Sequence, residues 1–487
     1  MLLQNILHNI KYKTTMQIDD ININKIEYDS RKINKNDLFI AIKGDISDGH
    51  LFINSAIKNG AIAIIVSEKK LDISVPQIIV DDDRKTLAQI SSNFYKTQIE
   101  PFDIYGITGT NGKTTTALIL KYLLNFKNRK SGYIGTLGIQ AFKEYKKNLS
   151  LTTPESLDIY KTIFNFKTGQ IESAVIEVSS IALDRKRVYQ IPFKIALFTN
   201  LSQDHLDYHR TMSAYFEAKK TLFQQIKKDG FAIINIDDNY GKKLFGSIKS
   251  QKKSFSLNNN KADYYFETID YNIENTTGII HSPFGKINIQ FPLLGSFNAY
   301  NLLGAIASQL SLFPNDYSKD MNLKTLPPIP GRMEIIKTKQ HGTAIVDFAH
   351  TPDAMEKIFN TIKIIQKTGK INIAFGCGGN RDKTKRPMMG KIASENADEI
   401  ILTNDNPRDE NPLAIIDDIK KDVKTNYQIK IIENRKNAIA EILRVSNKND
   451  VVLILGKGDE REMEIDGKKI PFDDRKIINS WIKKNEN

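Results

Sequence analysis

The sequence predicts an α/β protein of three domains. A small mixed α/β unit spans 1–100, a central mostly parallel sheet spans 101–328, and a Rossmann-like doubly wound unit spans 329–487. Three observations predict this. At 487 residues the chain exceeds what one hydrophobic core serves. Short apolar runs alternate with helical stretches in two separate series, as buried parallel strands with crossover helices do. Between the series, LPPIPGR (326–332) is rich in Pro and Gly and makes a stiff linker.

The elements follow in order. DLFIAIKG (37–44) and AIAIIVSE (61–68) are strand-like, with a turn-rich Gly44–Gly49 between them, and 84–97 reads as a helix. Pro101 marks a boundary. From 102, FDIYGITGTNGKTTTALILKYLL runs strand, glycine-rich turn, helix. Further buried strands are expected at 173–180, 194–202 and 231–237, and a meander of short strands over 250–295. After the linker the alternation restarts with GTAIVDFAH, INIAFGCGG, EIILTNDNP, IKIIEN and DVVLILGKG. No internal repeat or long low-complexity tract is evident.

Composition narrows the class. A hydrophobic share of 40% and a charged share of 26% are ordinary for a soluble globular protein. No run reaches the roughly 18–20 apolar residues of a membrane span. The start, MLLQNILHNIKYKTT, lacks the layout of a secretory signal. A single cysteine, Cys377, excludes an internal disulfide and suits a reducing compartment. A cytoplasmic monomer is expected, with no membrane insertion. The net charge of +13 is carried by scattered lysines without interleaved aromatics. That pattern argues against a nucleic-acid partner and for an anionic, nucleotide-type substrate.

GITGTNGKTTT (Gly106–Thr116) is the sharpest signal. Glycines let backbone N–H groups close around phosphate oxygens, and the following helix aims its positive end at them. Gly109, Thr110, Asn111, Gly112, Lys113, Thr114 and Thr115 are therefore candidate ATP-binding residues. Lys113 reaches the terminal phosphates, and the hydroxyl of Thr114 or Thr115 suits Mg²⁺. Ile107 stands where the strict P-loop pattern has its first glycine. AVIEVSS ends an apolar strand on Glu177, and a charge there is costly unless a cation meets it.

GTNGKTT resembles the Mur ligase and folylpolyglutamate synthase superfamily, and the resemblance spans almost the whole chain. It implies that Glu177 binds Mg²⁺, that His205 of TNLSQDHLDYH lies near a second Mg²⁺, and that Lys219 of YFEAKKTLF is carbamylated. With Lys113 these are the expected catalytic residues, and Thr114, Glu177, His205 and carbamylated Lys219 the metal set. It also implies nucleotide contacts from the F-N-x-x-N residue Asn301 (on the adenine side), the linker Arg332, and Asp347 and His350 of VDFAHTPDA, where Phe348 replaces a usual tyrosine. The implied reaction is amide-bond formation. ATP phosphorylates a substrate carboxylate, and an amine displaces the phosphate.

DSRKI (29–33) resembles the first-domain motif of family members that take UDP-muramoyl peptides, with GDISDGH (44–50) nearby. Ser30, Thr152, Thr153, Ser179, Arg185 and Arg187 are the implied UDP-sugar residues; Ile181 and Arg185 depart from the usual pattern. GCGGNRDKTKRPMMG and TNDNPRDENP resemble the amino-acid pocket of members that add meso-diaminopimelate to UDP-N-acetylmuramoyl-L-alanyl-D-glutamate. Its candidates are Arg381, Asp405, Asn406, Pro407 and Arg408, joined by Gly456 and Glu460 of GKGDERE, where Asp459 replaces a usual histidine. Diaminopimelate carries a carboxylate that lysine lacks, and a guanidinium is its natural partner. The same reaction with L-lysine and a folate-type ligase are the alternatives.

Overall fold

The computed structural model describes residues 1–44, 47–141, 145–147, 151–272, 275–366, 368–424 and 428–486. Positions 45 and 46 of the GDISDGH segment lie outside them.

The first sheet has five strands in the order Lys13–Thr14, Gln77–Ile79, Ala61–Val66, Asp37–Ile40, Ile26–Glu27, parallel except at the Lys13–Thr14 edge. Helix Asp83–Ile99, one turn longer than expected, packs against helix Ser156–Thr168 of the next unit. Its buried Leu87, Ile90 and Tyr95 belong to one continuous apolar cluster with Ile104, Ile163 and Phe198. Tyr28 hydrogen-bonds Asp158, and Arg84–Glu155 and Lys161–Glu27 ion pairs cross the same seam.

The second sheet has twelve strands. Asp103–Thr108 lies between Ser173–Glu177 and Phe193–Phe198, all parallel and apolar on both faces, as strands covered by helices on either side must be. The 250–295 region forms a meander as expected. Tyr264–Tyr271, Thr276–Ser282 and Gly285–Phe291 extend this same sheet, the last two pairings antiparallel. Strand Ser131–Gly135 is not legible in the sequence: its two glycines weaken strand propensity, and Phe166 fills the space above Gly132.

The third sheet runs Glu334–Lys337, Thr343–Asp347, Val451–Leu455, Ile371–Phe375, Glu399–Leu402, Ile429–Ile431, parallel but for the first strand. The five expected strands are all present. A hairpin, Glu462–Ile465 with Lys468–Pro471, follows. Its turn, Asp466-Gly467 with φ of 47° and 69°, has the Asp-Gly sequence that such turns favour.

Register brings the chemistry together. Ile107 aligns with Glu177, and Thr108 with Phe198, so the central loops leave one sheet edge. Asp347 and Phe375 both align with Leu455, and Phe375 with Leu402, so the C-terminal loops do likewise. Ligands of open parallel sheets bind outside such strand ends.

Candidate active site

The two sets of loops enclose one cleft of about 570 Å³. Its walls hold the phosphate loop, Glu177, His205, Asn301, Arg332, Asp347, His350, Arg381, Asp405, Asn406, Arg408, Gly456 and Glu460. Residues up to 350 positions apart in sequence thus converge on a single space.

At its base the phosphate loop is held by shape. Gly109 (φ +152°) leaves no room for a Cβ beside Thr199 Oγ1, and Gly112 (φ +87°) none beside Asn301 Oδ1. Thr110 N donates to Asn200 O (2.9 Å), Asn111 N to Asn200 Oδ1 (3.0 Å), and Thr199 Oγ1 to Asn111 O (2.6 Å). Asn301, expected on the adenine side, accepts from Thr116 Oγ1 (3.1 Å) and braces the loop from behind. Lys113 Nζ folds onto Gly109 O (2.9 Å) and Thr110 O (2.8 Å). Burial pushes its pKa down, opposed by the charges of Glu177 and Asp204. Thr114 and Thr115 are buried beside it.

Glu177 is fully buried at the end of its strand. Its carboxylate accepts from Tyr133 OH, Thr136 N (3.0 Å), Thr136 Oγ1 (3.2 Å) and Thr114 Oγ1 (2.9 Å). Glu177 and Thr114 therefore offer adjacent hard oxygen donors at the phosphate loop, a set that fits Mg²⁺. No group of three or more His, Cys, Asp and Glu able to hold a metal exists among the described residues. The fit is thus to an ion that keeps water and phosphate oxygens as its remaining ligands.

His205 takes a left-handed backbone conformation (φ 53°), and burial drops its pKa to about 4, helped by Lys219, Lys113 and His350 against the pull of Asp204. It is a neutral imidazole at neutral pH. Lys219 is buried, with Nζ donating to Gly109 O (2.8 Å) and lying 4.5 Å from the centre of the Tyr215 ring. Burial, with Lys113 adding to it, holds this amine well below its ordinary pKa.

The far wall comes from the linker and the third sheet. The Arg332 guanidinium stacks on Phe348 (4.3 Å) and makes no hydrogen bond or ion pair among the described residues, leaving it open to the cleft. Asp347 accepts from Met333 N (2.6 Å) and Ala349 N (2.7 Å), tying the linker to its own strand end. Burial raises its pKa. His350 Nε2 lies 3.8 Å from Asp204.

Several contacts cross the cleft. Asn111 Nδ2 donates to Asp353 (3.0 Å), Ser202 Oγ to the same oxygen (3.4 Å), and Gln203 Nε2 to Thr384 Oγ1 (3.2 Å).

In the amino-acid pocket, Arg381 is exposed and hydrogen-bonds nothing among the described residues, while Arg408 donates to Gly379 O (2.7 Å) and pairs with Glu464 (3.1 Å). Asn406 donates to Glu460 (2.7 Å) and accepts from Lys457 Nζ (3.0 Å); Lys457 is fully buried and also donates to Glu460 (2.8 Å). Gly456 (φ +112°) has no room for a Cβ beside Asp405, whose pKa burial raises. Pro407 is buried with its carbonyl against Gly379. Asp459 is half-buried, its Oδ1 withdrawn from solvent without a hydrogen-bond partner among the described residues.

Of the UDP-sugar candidates, only Thr152 lines the cleft, 3.2 Å from Thr136 Oγ1. Thr153 and Ser179 are joined through Ser179 N (3.1 Å), and Arg187 is held by Glu155 (3.0 Å) and Thr153 O (3.3 Å). Arg185 donates to Tyr208 OH (3.0 Å). Ser30 is buried in the short 3-10 turn Ser30–Lys32 between two strands of the first sheet, its carbonyl accepting from Asn59 (2.9 Å).

Sequence reasoning passed over Asp204, Asp353, Lys385 and Lys457. All four lie within four residues of a residue it singled out, and a charge beside such a residue was the available signal.

A phosphate loop, a buried carboxylate at its side and a cationic far wall on a second sheet define a nucleotide-dependent enzyme whose site forms between domains. The chain belongs to the Mur ligase family. Residues 22–95 match the Mur ligase family catalytic domain, 107–309 the Mur ligase middle domain, and 331–458 the Mur ligase glutamate ligase domain. The UDP-N-acetylmuramoyl-L-alanyl-D-glutamate–2,6-diaminopimelate ligase 1 of Clostridium acetobutylicum is 38% identical over 99% of both chains. The corresponding ligase of Fusobacterium nucleatum is 40% identical over 98% of both. A solved structure of a ligase of that name has a TM-score of 0.68 and 30% identity, covering 100% of this chain and 99% of that one.

Proposed function

We propose that the protein is the ATP-dependent ligase that adds meso-2,6-diaminopimelate to UDP-N-acetylmuramoyl-L-alanyl-D-glutamate, acting as a cytoplasmic monomer in peptidoglycan synthesis. The activity named for its full-length relatives supports this reading. The observation that carries it is the single cleft uniting a phosphate loop with Arg381 and Arg408. Residues 1–100 would bind the UDP end, 101–328 ATP, and 329–487 the amino acid.

The dipeptide carboxylate attacks the γ-phosphorus of ATP, ADP leaves with the bonding electrons, and an acyl phosphate forms. The amine then attacks the acyl carbon, phosphate leaves, and the nitrogen gives up its proton. Lys113 leaves its two carbonyls for the β and γ phosphates, and Arg332 meets them from the opposite wall. Mg²⁺, held by Thr114 and Glu177, would neutralise phosphate charge. The depressed pKa of Lys219 favours the neutral amine that adds CO₂, and the resulting carbamate would supply the anion that the ammonium cannot. Arg381 and Arg408 would hold the carboxylates of diaminopimelate, and Glu460 its distal ammonium.

The test is oxygen-18 in the reacting carboxylate of the dipeptide. One label per turnover is expected in inorganic phosphate, with ADP release dependent on dipeptide, diaminopimelate and Mg²⁺ together. Unlabelled phosphate would refute the acyl-phosphate route, and equal turnover with L-lysine the assigned amino acid.

A further inference from the structure

Lys385 opens the twelve-residue helix Lys385–Asn396 and reaches into the cleft with a side chain only 8% exposed. It makes no hydrogen bond among the described residues, and its one ion partner, Asp204 Oδ1, is 3.9 Å away. Its stem is buried while its ammonium faces the cleft with no protein acceptor among the described residues, so its donors are free to meet a ligand there. Its neighbour Arg386 is instead satisfied within the protein, donating to Glu410 (3.0 Å), Asp418 (3.0 Å) and Gly378 O (3.1 Å). Thr384 provides no side-chain cap, so the helix start adds positive potential beside the same ammonium, offset only in part by the Asp382 carboxylate that accepts from Thr384 N (2.9 Å) and Thr384 Oγ1 (2.6 Å).

What completes Lys385 is an anion, and its surroundings say which end of the reaction supplies it. Asp204 Oδ2 lies 3.4 Å from His205 Nε2 and 3.8 Å from His350 Nε2, and its charge acts on both Lys113 and Lys219. Lys385 therefore stands at the phosphate-loop end of the cleft. Arg408, held by Gly379 O and Glu464, stands at the other.

We propose that Lys385 is a catalytic residue contributed by the third sheet's domain, contacting the transferring phosphoryl group opposite Lys113. This rests on the ligase reading above. As the carboxylate oxygen bonds to the γ-phosphorus and the bond to the ADP oxygen breaks, the non-bridging oxygens keep their charge, and Lys385 meets it from across the cleft. It holds the same group while the amine bonds to the acyl carbon and the carbon–oxygen bond to phosphate breaks, the electron pair leaving with phosphate. Asp204 keeps the ammonium in position between turnovers.

The experiment compares full-length wild type with Lys385→Ala, Lys385→Gln and Lys385→Arg, measuring ADP release, product formation and inhibition by inorganic phosphate. For Ala and Gln, kcat is expected to fall about 100-fold or more, the range for losing one charge-stabilising contact. The KM for diaminopimelate stays within about threefold, phosphate inhibition weakens about tenfold, and Arg restores part of kcat, an outcome misfolding would not give. Unchanged kcat in an active background overturns the inference. So does a roughly tenfold rise in the KM for diaminopimelate at constant kcat, which makes Lys385 an amino-acid contact. A wild type that releases no ADP with the full substrate set overturns the ligase reading itself, and this inference with it.

Discussion

Lys219 shows how one buried side chain can trade stability for chemistry. Its pKa is depressed in the folded protein, chiefly by burial, so the native chain holds this proton less tightly than the unfolded one does. That difference destabilises the fold wherever pH lies below the ordinary lysine value of 10.5. Lys219→Met is therefore expected to raise Tm in CO₂-free buffer while abolishing turnover. Bicarbonate should raise the Tm of wild type but not of Lys219→Met, because a group added only to the native state stabilises it by linkage. A bicarbonate response equal in both would exclude carbamylation at this lysine. Short carboxylic acids should restore activity to Lys219→Ala. His205 follows the same sign: with a native pKa of about 4 against 6.5, it lowers stability as pH falls from 6.5 towards 4. Urea titrations at pH 4.5 and 7.5 should show a smaller loss in His205→Asn than in wild type. In the amino-acid pocket, Arg408→Ala should raise the KM for diaminopimelate about tenfold, the order expected for a charge-assisted contact, and leave that for ATP unchanged. A change in the ATP constant alone would move the pocket elsewhere.

Among elements, the helices behind the cleft matter as much as the loops in front of it. Arg435 and Asp474 form an ion pair with no exposed side-chain surface, joining helix Arg435–Val445 to helix Asp474–Asn485. The same guanidinium donates to Asn404 O (3.3 Å) and Leu455 O (2.9 Å), the residues immediately before Asp405 and Gly456. Asp474→Ala leaves a buried charge alone and should cost about 3–5 kcal/mol of stability, read by urea unfolding. A loss below about 1 kcal/mol would mean that water reaches the pair. Neither partner was legible in the sequence, because ion pairing across 39 residues leaves no local pattern. Periodicity did reveal the strands that carry the site, since a strand covered on both faces reads as an apolar run. The phosphate loop was legible because Gly109 and Gly112 meet steric demands only glycine satisfies. The engagement of Arg187 by Glu155 was not: a basic residue in a motif looks the same whether it faces a ligand or a neighbouring helix. Asp204 was missed for the converse reason, its importance arising only where His350 and Lys385 approach from another sheet.

At the scale of the molecule, the two domain seams are built from different materials. Residues of the first sheet and of the central sheet share one apolar cluster, reinforced by the Arg84–Glu155 and Lys161–Glu27 pairs. The third sheet encloses apolar clusters of its own, to which the central domain contributes, among the described residues, only Leu294 and a partly buried Phe297. Across the cleft the contacts are polar, with Asn111, Ser202 and Gln203 facing Asp353 and Thr384. Polar pairs in reach of water contribute little net stability, so they set the position of a domain more readily than they secure it. Heating should accordingly give two calorimetric transitions, one for residues 1–325 together and one for the third-sheet domain. Asp353→Ala removes the acceptor shared by Asn111 and Ser202 while leaving every apolar cluster intact. It should shift neither transition by more than a degree or two, yet enlarge the radius of gyration of the ligand-free protein in small-angle scattering. A non-hydrolysable ATP analogue with the UDP-linked dipeptide, bridging both walls, should return it to the wild-type value. Identical scattering curves for variant and wild type without ligands would show that the linker at 326–332, and not these hydrogen bonds, holds the cleft at the width seen.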